Sequence, residues 1–213
     1  MTGPPSASGD ATGILTKILH RAVAKPWVYD WVQFMAGARY TRRRLAAQIA
    51  QLHPASLVLD VAGGTGMFRD LWPSTCTYIC LDNDMLKLRG FLNRNPNGVP
   101  LLADVTQAPI RSDVADVVLC VAAFHHIPEE FLVNFISESM RLVKNTGKFI
   151  FLDAIWKPTR WTGRLLWKYD RGSYPRRPET LYSLISGHAE IIHWEHFAVF
   201  HECILGVAIK KPR

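Results

Sequence analysis

The chain has 213 residues, 48% hydrophobic and 20% charged, enough for one α/β domain with additions and a sizeable core. No apolar run reaches the ~18 residues of a membrane span, and the start, "MTGPPSASGD", has neither the basic nor the apolar region of a signal peptide. The net charge of +7 admits nucleic acid, an anionic membrane surface or an acidic small molecule as partner, so the distribution of charge has to decide.

Residues 1–10 read as a disordered tail and 11–54 as an N-terminal helical lid. Within the lid the apolar spacing predicts helices over Gly13–Val23, ended by Pro26, then Trp27–Met35 and Tyr40–Leu52, closed by His53-Pro54. Residues 55–213 read as the main domain. Strands are expected at Leu57–Val61, Thr77–Leu81, Val99–Ala103, Val114–Ala122 and Lys148–Leu152. Helices are expected to start at Met67–Trp72 and to span Asp84–Asn93, with Asp84 as cap, and Glu129–Val143. A basic and aromatic insert occupies about 156–178, followed by a helix at Thr180–Ile185 and two last strands, Glu190–Trp194 and Phe200–Ile209. Such alternation predicts a Rossmann-like, doubly wound sheet of about seven strands, mostly parallel, with an antiparallel C-terminal edge. Cys76, Cys80, Cys120 and Cys203 lack the paired spacing of a zinc site and are expected as reduced thiols in a cytoplasmic protein.

The stretch "VLDVAGGTGMF", Val58–Phe68, leaves a strand, passes an acid and turns on three glycines. Ligands of doubly wound sheets bind at the carboxyl ends of the strands, and glycines there let backbone approach closely. A dinucleotide fingerprint fails, because the third glycine of G-x-G-x-x-G would be Arg69. Asp60 at the strand end suits a ligand with an amino group better than a pyrophosphate, which its charge would repel.

The stretch resembles motif I of class I S-adenosylmethionine-dependent methyltransferases, in the flavour of the ubiquinone- and menaquinone-biosynthesis enzymes. Most members carry glycine where this chain has Ala62. The resemblance runs over about Leu57–Asp153 and implies a cofactor set of Asp60, Ala62, Gly63, Gly64, Gly66, Asp82, Asn83, Asp104, Val105 and Val121. In "ICLDND" it assigns Asp82 to the ribose hydroxyls, a role a carboxylate fills by accepting two O–H bonds. In "LLADVTQAPI" it assigns Asp104 to the adenine amino group and the Val105 backbone to the ring; the alternative for Asp104 is a turn cap. "RLVKNTGKFIFLDA" resembles the turn into the fifth strand, with Asn145-Thr146-Gly147 for the usual Pro-Gly-Gly. The sulfonium of S-adenosylmethionine makes its own methyl labile, so no metal is expected.

The acceptor is less legible. His125 and His126 follow the fourth strand, and either has the basicity for proton transfer. In the insert, Lys157, Arg160, Arg164, Lys168, Arg171, Arg176 and Arg177 stand against one acid, Asp170, with Trp161, Trp167, Tyr169 and Tyr174 between them. Arginine forks suit phosphate or carboxylate and aromatics suit an apolar body, so Tyr169, Arg171, Tyr174, Arg176 and, from the lid, Trp31 are candidate substrate contacts. The implied substrate is an anionic amphiphile such as a prenyl diphosphate or aromatic acid. The alternatives are a lipophilic quinol met at a membrane surface, a solvated basic loop, RNA, or a non-catalytic cofactor-binding protein. RNA is disfavoured, since "AAFHHI" replaces the polar-Pro-Pro-aromatic motif of amino-methylating enzymes.

Overall fold

The computed structural model describes residues 38–50, 52, 57–163, 167, 174–199 and 201–212. The expected tail, the first two lid helices with Trp31, and the insert residues Tyr169 and Arg171 lie outside these. Seven strands form one sheet: β1 (Leu57–Val61), β2 (Thr77–Asp82), β3 (Val99–Leu102), β4 (Ala115–Val121), β5 (Val143–Ile155), β6 (Glu190–Ala198) and β7 (Glu202–Ile209). Their order is β3-β2-β1-β4-β5-β7-β6. The ladders from β3 to β5 are parallel, and β7 runs antiparallel to both β5 and β6. The carboxyl ends of β1 to β5 therefore share one edge, and Asp60, Asp82 and Asp104 lie along it.

Helix α1 (Ala38–Ile49) and helix α2 (Met85–Arg94) cover one face; α3 (Glu129–Leu142) and α4 (Pro178–His188) cover the other. Side-chain alternation sorts the core accordingly. Val58, Cys80, Leu119 and Ile150 pack with Leu45 of α1 and Leu88 and Phe91 of α2. Leu59, Val118, Phe149 and Phe151 pack with Leu132, Phe135, Ile136 and Met140 of α3 and with Leu181 and Ile185 of α4. Asp84 caps α2, accepting from the Leu86 N–H at 2.8 Å and the Lys87 N–H at 3.4 Å. Gly206 lies under its cross-strand partner Phe151, where a Cβ would stand 2.1 Å from the ring.

β6 and α4 run longer than expected, and three other elements differ in kind or position. The helix expected from Met67–Trp72 is one 3₁₀ turn, Arg69–Leu71, because Pro73 holds Trp72 extended at φ −105°, ψ 141°. The turn at Asn145–Gly147 is a bulge inside the longer β5, whose pairing jumps from Ala115↔Val143 to Val117↔Lys148. There Gly147 crosses so near β4 that a Cβ would stand 2.8 Å from the Ala115 carbonyl oxygen. The last strand begins at Glu202 rather than Phe200, which lies outside the described residues.

Candidate active site

The glycine turn leaves β1 through backbone that L side chains disfavour. Ala62, Gly64 and Gly66 have φ of 54°, 59° and 65°. The departure from glycine at position 62 carries a steric cost, since alanine stands in the left-handed region. The turn closes on itself by Gly66 N–H donating to the Gly63 carbonyl at 2.9 Å, and docks on β2 by Gly63 N–H donating to the Leu81 carbonyl at 3.1 Å. Gly66 faces the Phe91 ring so closely that a Cβ would stand 2.3 Å away.

Two acids flank this turn, and both are buried: Asp60 is 2% exposed and Asp82 3%. Asp82 Oδ2 accepts from the Gly64 N–H and Oδ1 from the Asp84 N–H, each at 2.9 Å, which aims the carboxylate and leaves each oxygen a lone pair. Lys87, half-exposed, reaches it at 3.9 Å. Asp60 accepts from the Tyr78 phenol. Burial pushes the Asp60 carboxyl up to about 7, the Tyr78 bond opposes this, and the Asp82 charge adds to it. Two adjacent buried acids beside a glycine turn suit a ligand that brings positive charge and hydroxyls together. S-adenosylmethionine, with its ammonium, sulfonium and ribose, fits that requirement.

Further along the same edge, Asp104 is exposed and caps the 3₁₀ turn Val105–Gln107, its Oδ1 accepting from the N–H and the hydroxyl of Thr106, both at 2.8 Å. The cap uses one oxygen and leaves the other for an amino group. Val105 is buried, Asn83 exposed and Val121 half-buried at the end of β4.

At the end of β4, Ala122 (φ 55°) turns the chain out of the sheet while its N–H stays on the Leu152 carbonyl at 2.8 Å. Phe124 then anchors a 3₁₀ turn, Phe124–His126, by packing on Phe135, Phe149 and Phe151. The two histidines that follow part company. His126 is exposed, whereas His125 is buried with its Nδ1 hydrogen-bonded to Oδ1 of Asp153 on β5. The same carboxylate accepts the His125 backbone N–H on Oδ2 at 3.1 Å and the Ala154 N–H on Oδ1 at 2.7 Å. With Nδ1–H directed at a carboxylate, Nε2 is the basic nitrogen of His125. Trp167 packs its ring 5.6 Å from the His125 ring. Asp153 was the partner that sequence reasoning missed, as was Tyr78 beside Asp60.

Arg176 corrects an expectation. It is 7% exposed, and its guanidinium donates to the carbonyls of Phe124 (2.7 Å), Ile127 (2.6 Å) and Tyr174 (3.2 Å). It clamps the histidine turn from behind, with both terminal nitrogens on carbonyls and its Nε buried. Other basic residues of the insert are also engaged: Lys157 pairs with Glu202 at 3.0 Å and Arg160 with the same carboxylate at 3.8 Å. Tyr174, in contrast, is exposed and adjoins the histidine turn, its N–H donating to the His125 carbonyl at 3.1 Å.

Helix α1, the described part of the expected lid, is tied to the rest of the chain by its arginines. Arg42 of α1 donates to the Met67 carbonyl at 2.7 Å and pairs with Asp70, and Arg44 pairs with Glu195 at 2.9 Å. Among the described residues no group of three or more His, Cys, Asp or Glu is arranged to hold a metal, and no helix is long and apolar enough to cross a membrane.

A family model described as a methyltransferase domain matches residues 59–151, from β1 through most of β5. No match is found by sequence among curated proteins. The chain is similar in structure to a protein from Pyrococcus horikoshii, at 17% identity over 82% of this chain and 90% of that one, TM-score 0.68. It is similar to a TehB-like S-adenosylmethionine-dependent methyltransferase from Corynebacterium glutamicum, at 13% identity over 90% and 100% of the two chains, TM-score 0.66. A third likeness is to geranyl diphosphate C-methyltransferase from Streptomyces coelicolor, at 10% identity over 82% and 81%, TM-score 0.64. At these identities the likeness is one of fold.

Proposed function

We propose that the chain is a class I S-adenosylmethionine-dependent methyltransferase that methylates a small amphiphilic molecule whose acceptor group gives up a proton; the methyltransferase-domain match over residues 59–151 supports the reading. The observation that carries this reading is the buried His125–Asp153 pair at the carboxyl edge of β4 and β5. Bound S-adenosylmethionine supplies an electrophilic methyl on a sulfonium. Asp60 and Asp82, with the glycine turn, hold the amino acid and ribose ends; Asp104 and Val105 take the adenine. His125 Nε2 accepts the proton that the acceptor loses, and Asp153 fixes the tautomer and stabilises the imidazolium that results.

Two of the acceptors raised by the sequence, a quinol and a prenyl diphosphate, need such a base. A phenol or enol loses its hydroxyl proton as the oxygen or carbon is methylated. An alkene, as in a prenyl diphosphate, becomes a carbocation on methylation and loses a neighbouring C–H proton. The S. coelicolor relative of this fold is a geranyl diphosphate C-methyltransferase, which favours the prenyl class. Trp167 and Tyr174 would flank the apolar body. The anionic end would fall to Arg171, with Tyr169 and Trp31 as walls, because Arg176 is committed to carbonyls. A lipophilic quinol is the second reading, favoured by Trp161, 72% exposed at the start of the insert.

The test uses methyl-labelled S-adenosylmethionine and a small-molecule extract, with products divided into anionic water-soluble and neutral lipid fractions. Label in the anionic fraction is the expected result. Label in the lipid fraction would move the reading to a quinol. Label in neither, or equal labelling by His125→Ala, would overturn it.

A further inference from the structure

Asp60 is held by a residue of the neighbouring strand that the family motif does not include. In the β1–β2 ladder Val58 pairs with Tyr78 and Asp60 with Cys80, so Tyr78 lies one diagonal step from Asp60 on the same face. The Tyr78 ring is 3% exposed, stacked on Phe91 of α2 at 6.3 Å, with the Arg69 guanidinium 5.4 Å from its centroid on the 3₁₀ turn. Packing thus fixes the ring, and its hydroxyl donates to Oδ2 of Asp60. The backbone closes the other side: a Cβ on Gly63 would stand 2.5 Å from that same oxygen. Oδ2 is gripped between phenol and turn, and Oδ1 takes no part in either contact.

We propose that Tyr78 is a positioning residue for the cofactor, its phenol orienting the Asp60 carboxylate toward the amino group of the methionine portion. The inference rests on the assignment of Asp60 to that end of the ligand. Chemistry gives the phenol a second effect in the same direction, since a donor to a carboxylate favours its charged form. The groups facing Asp60 are few. From β2 come Tyr78, Cys80 and, at the strand end, Asp82; Cys120 of β4 lies nearby but on the opposite face of the sheet, and Arg69 lies beyond the phenol. Burial pushes the thiols of Cys80 and Cys120 up, so both stay neutral, and the Tyr78 phenol likewise keeps its proton. Asp82 is the like charge that opposes Asp60, and Lys87 at 3.9 Å offsets Asp82 from the far side. Tyr78 is the donor that tips this balance toward a carboxylate able to meet an ammonium.

The experiment measures binding of S-adenosylhomocysteine and of 5′-methylthioadenosine, which keeps the nucleoside and sulfur but lacks the amino acid, by calorimetry at pH 7 and pH 9. Tyr78→Phe keeps the ring and its packing. It is expected to weaken S-adenosylhomocysteine about tenfold at pH 7, as loss of a bond to a charged group does, to weaken it less at pH 9, and to leave 5′-methylthioadenosine unchanged. Equal weakening of both ligands would overturn the inference, for it would mean a general disturbance of the turn. Should Tyr78→Phe fold poorly, Tyr78→Trp and wild type titrated against pH keep the question open to refutation, since affinity for S-adenosylhomocysteine alone must fall on acidification. In an Asp60→Asn background Tyr78→Phe is expected to have no further effect, and additive losses would overturn the coupling. If Asp60→Asn itself leaves affinity unchanged, the assignment of Asp60 fails first.

Discussion

Oδ1 of Asp153 and Nδ1 of His125 form one hydrogen bond across the β4–β5 junction, and the same carboxylate also accepts the His125 backbone N–H at 3.1 Å. The pair joins residues 28 positions apart. Ring and backbone of the histidine are therefore oriented by one side chain, itself 1% exposed.

Asp153→Asn tests that arrangement. An amide can present its N–H to the ring, which favours the opposite tautomer and turns the basic nitrogen away from the acceptor. Turnover is expected to fall by about 10²-fold or more, the usual range for loss of a positioned base. Binding of S-adenosylhomocysteine should stay within a factor of two or so, because Asp153 is not among the residues assigned to the ligand. Parallel losses in both would place Asp153 in the fold rather than in proton transfer.

Arg176 gives a second prediction. Its guanidinium spans the carbonyls that bracket the histidine turn, at 2.7 Å on Phe124 and 2.6 Å on Ile127. Burial lowers its pKa, while Glu129, Asp153 and Glu130 pull it back up. Arg176→Ala takes the donor from the Ile127 and Tyr174 carbonyls, each worth roughly 1–3 kcal/mol, while Phe124 keeps the Ile127 N–H at 3.1 Å, so unfolding by urea should show a loss of about 3 kcal/mol. Arg176→Lys keeps charge but offers no planar fork, and should recover at most half of that loss. A neutral effect of Arg176→Ala on stability would return the residue to the substrate.

The parts legible in the sequence are those written in short spans. Asp60 and the glycines occupy seven consecutive positions, and Asp84 announces a helix by standing just before it. Periodicity gave the strand order's ingredients, since β4 is buried on both faces and α3 on one. What stayed hidden are relations made by strand pairing. Asp153 reads as the end of a hydrophobic strand until β5 is laid beside β4, and Tyr78 reads as an ordinary strand aromatic until β2 is laid beside β1. Charge misled for a related reason: sequence shows that Arg176 is cationic but not that it is buried, and its carbonyl partner Phe124 is 52 positions away.

Ala62 carries a stability prediction. Its φ of 54° lies in the left-handed region, where a Cβ crowds the following carbonyl at a cost of roughly 1–2 kcal/mol. Glycine removes that strain but has more unfolded freedom to lose, about 0.5–1 kcal/mol. Ala62→Gly is expected to stabilise the protein by about 0.5–1 kcal/mol, seen as a higher urea midpoint at unchanged slope. Ala62→Val should lose more than this, since branching at Cβ worsens the same clash. A destabilised Ala62→Gly would show that the methyl packs favourably enough to outweigh its backbone strain.

The raised carboxyl of Asp60 links folding and ligand binding to pH with opposite signs. In the folded protein it titrates at about 7 against an ordinary 3.8, chiefly through burial. Between these values the folded state holds a proton that the unfolded chain has released, so this group's contribution to stability is full below about pH 4 and is lost as pH rises through about 7. A neutral amide cannot follow that change. Relative to Asp60→Asn, wild type should therefore lose stability between about pH 4 and pH 7 in urea unfolding without ligand, and the loss should level off above about pH 7. S-adenosylhomocysteine should bind wild type more tightly over the same rise, because ionised Asp60 is the form that meets an ammonium. The ligand would then compensate the strain that ionisation adds, and its effect on the melting temperature should grow with pH in wild type and stay flat in Asp60→Asn. Identical pH slopes for the two proteins, with and without ligand, would show that Asp60 does not titrate in this range and is not the group the amino end meets.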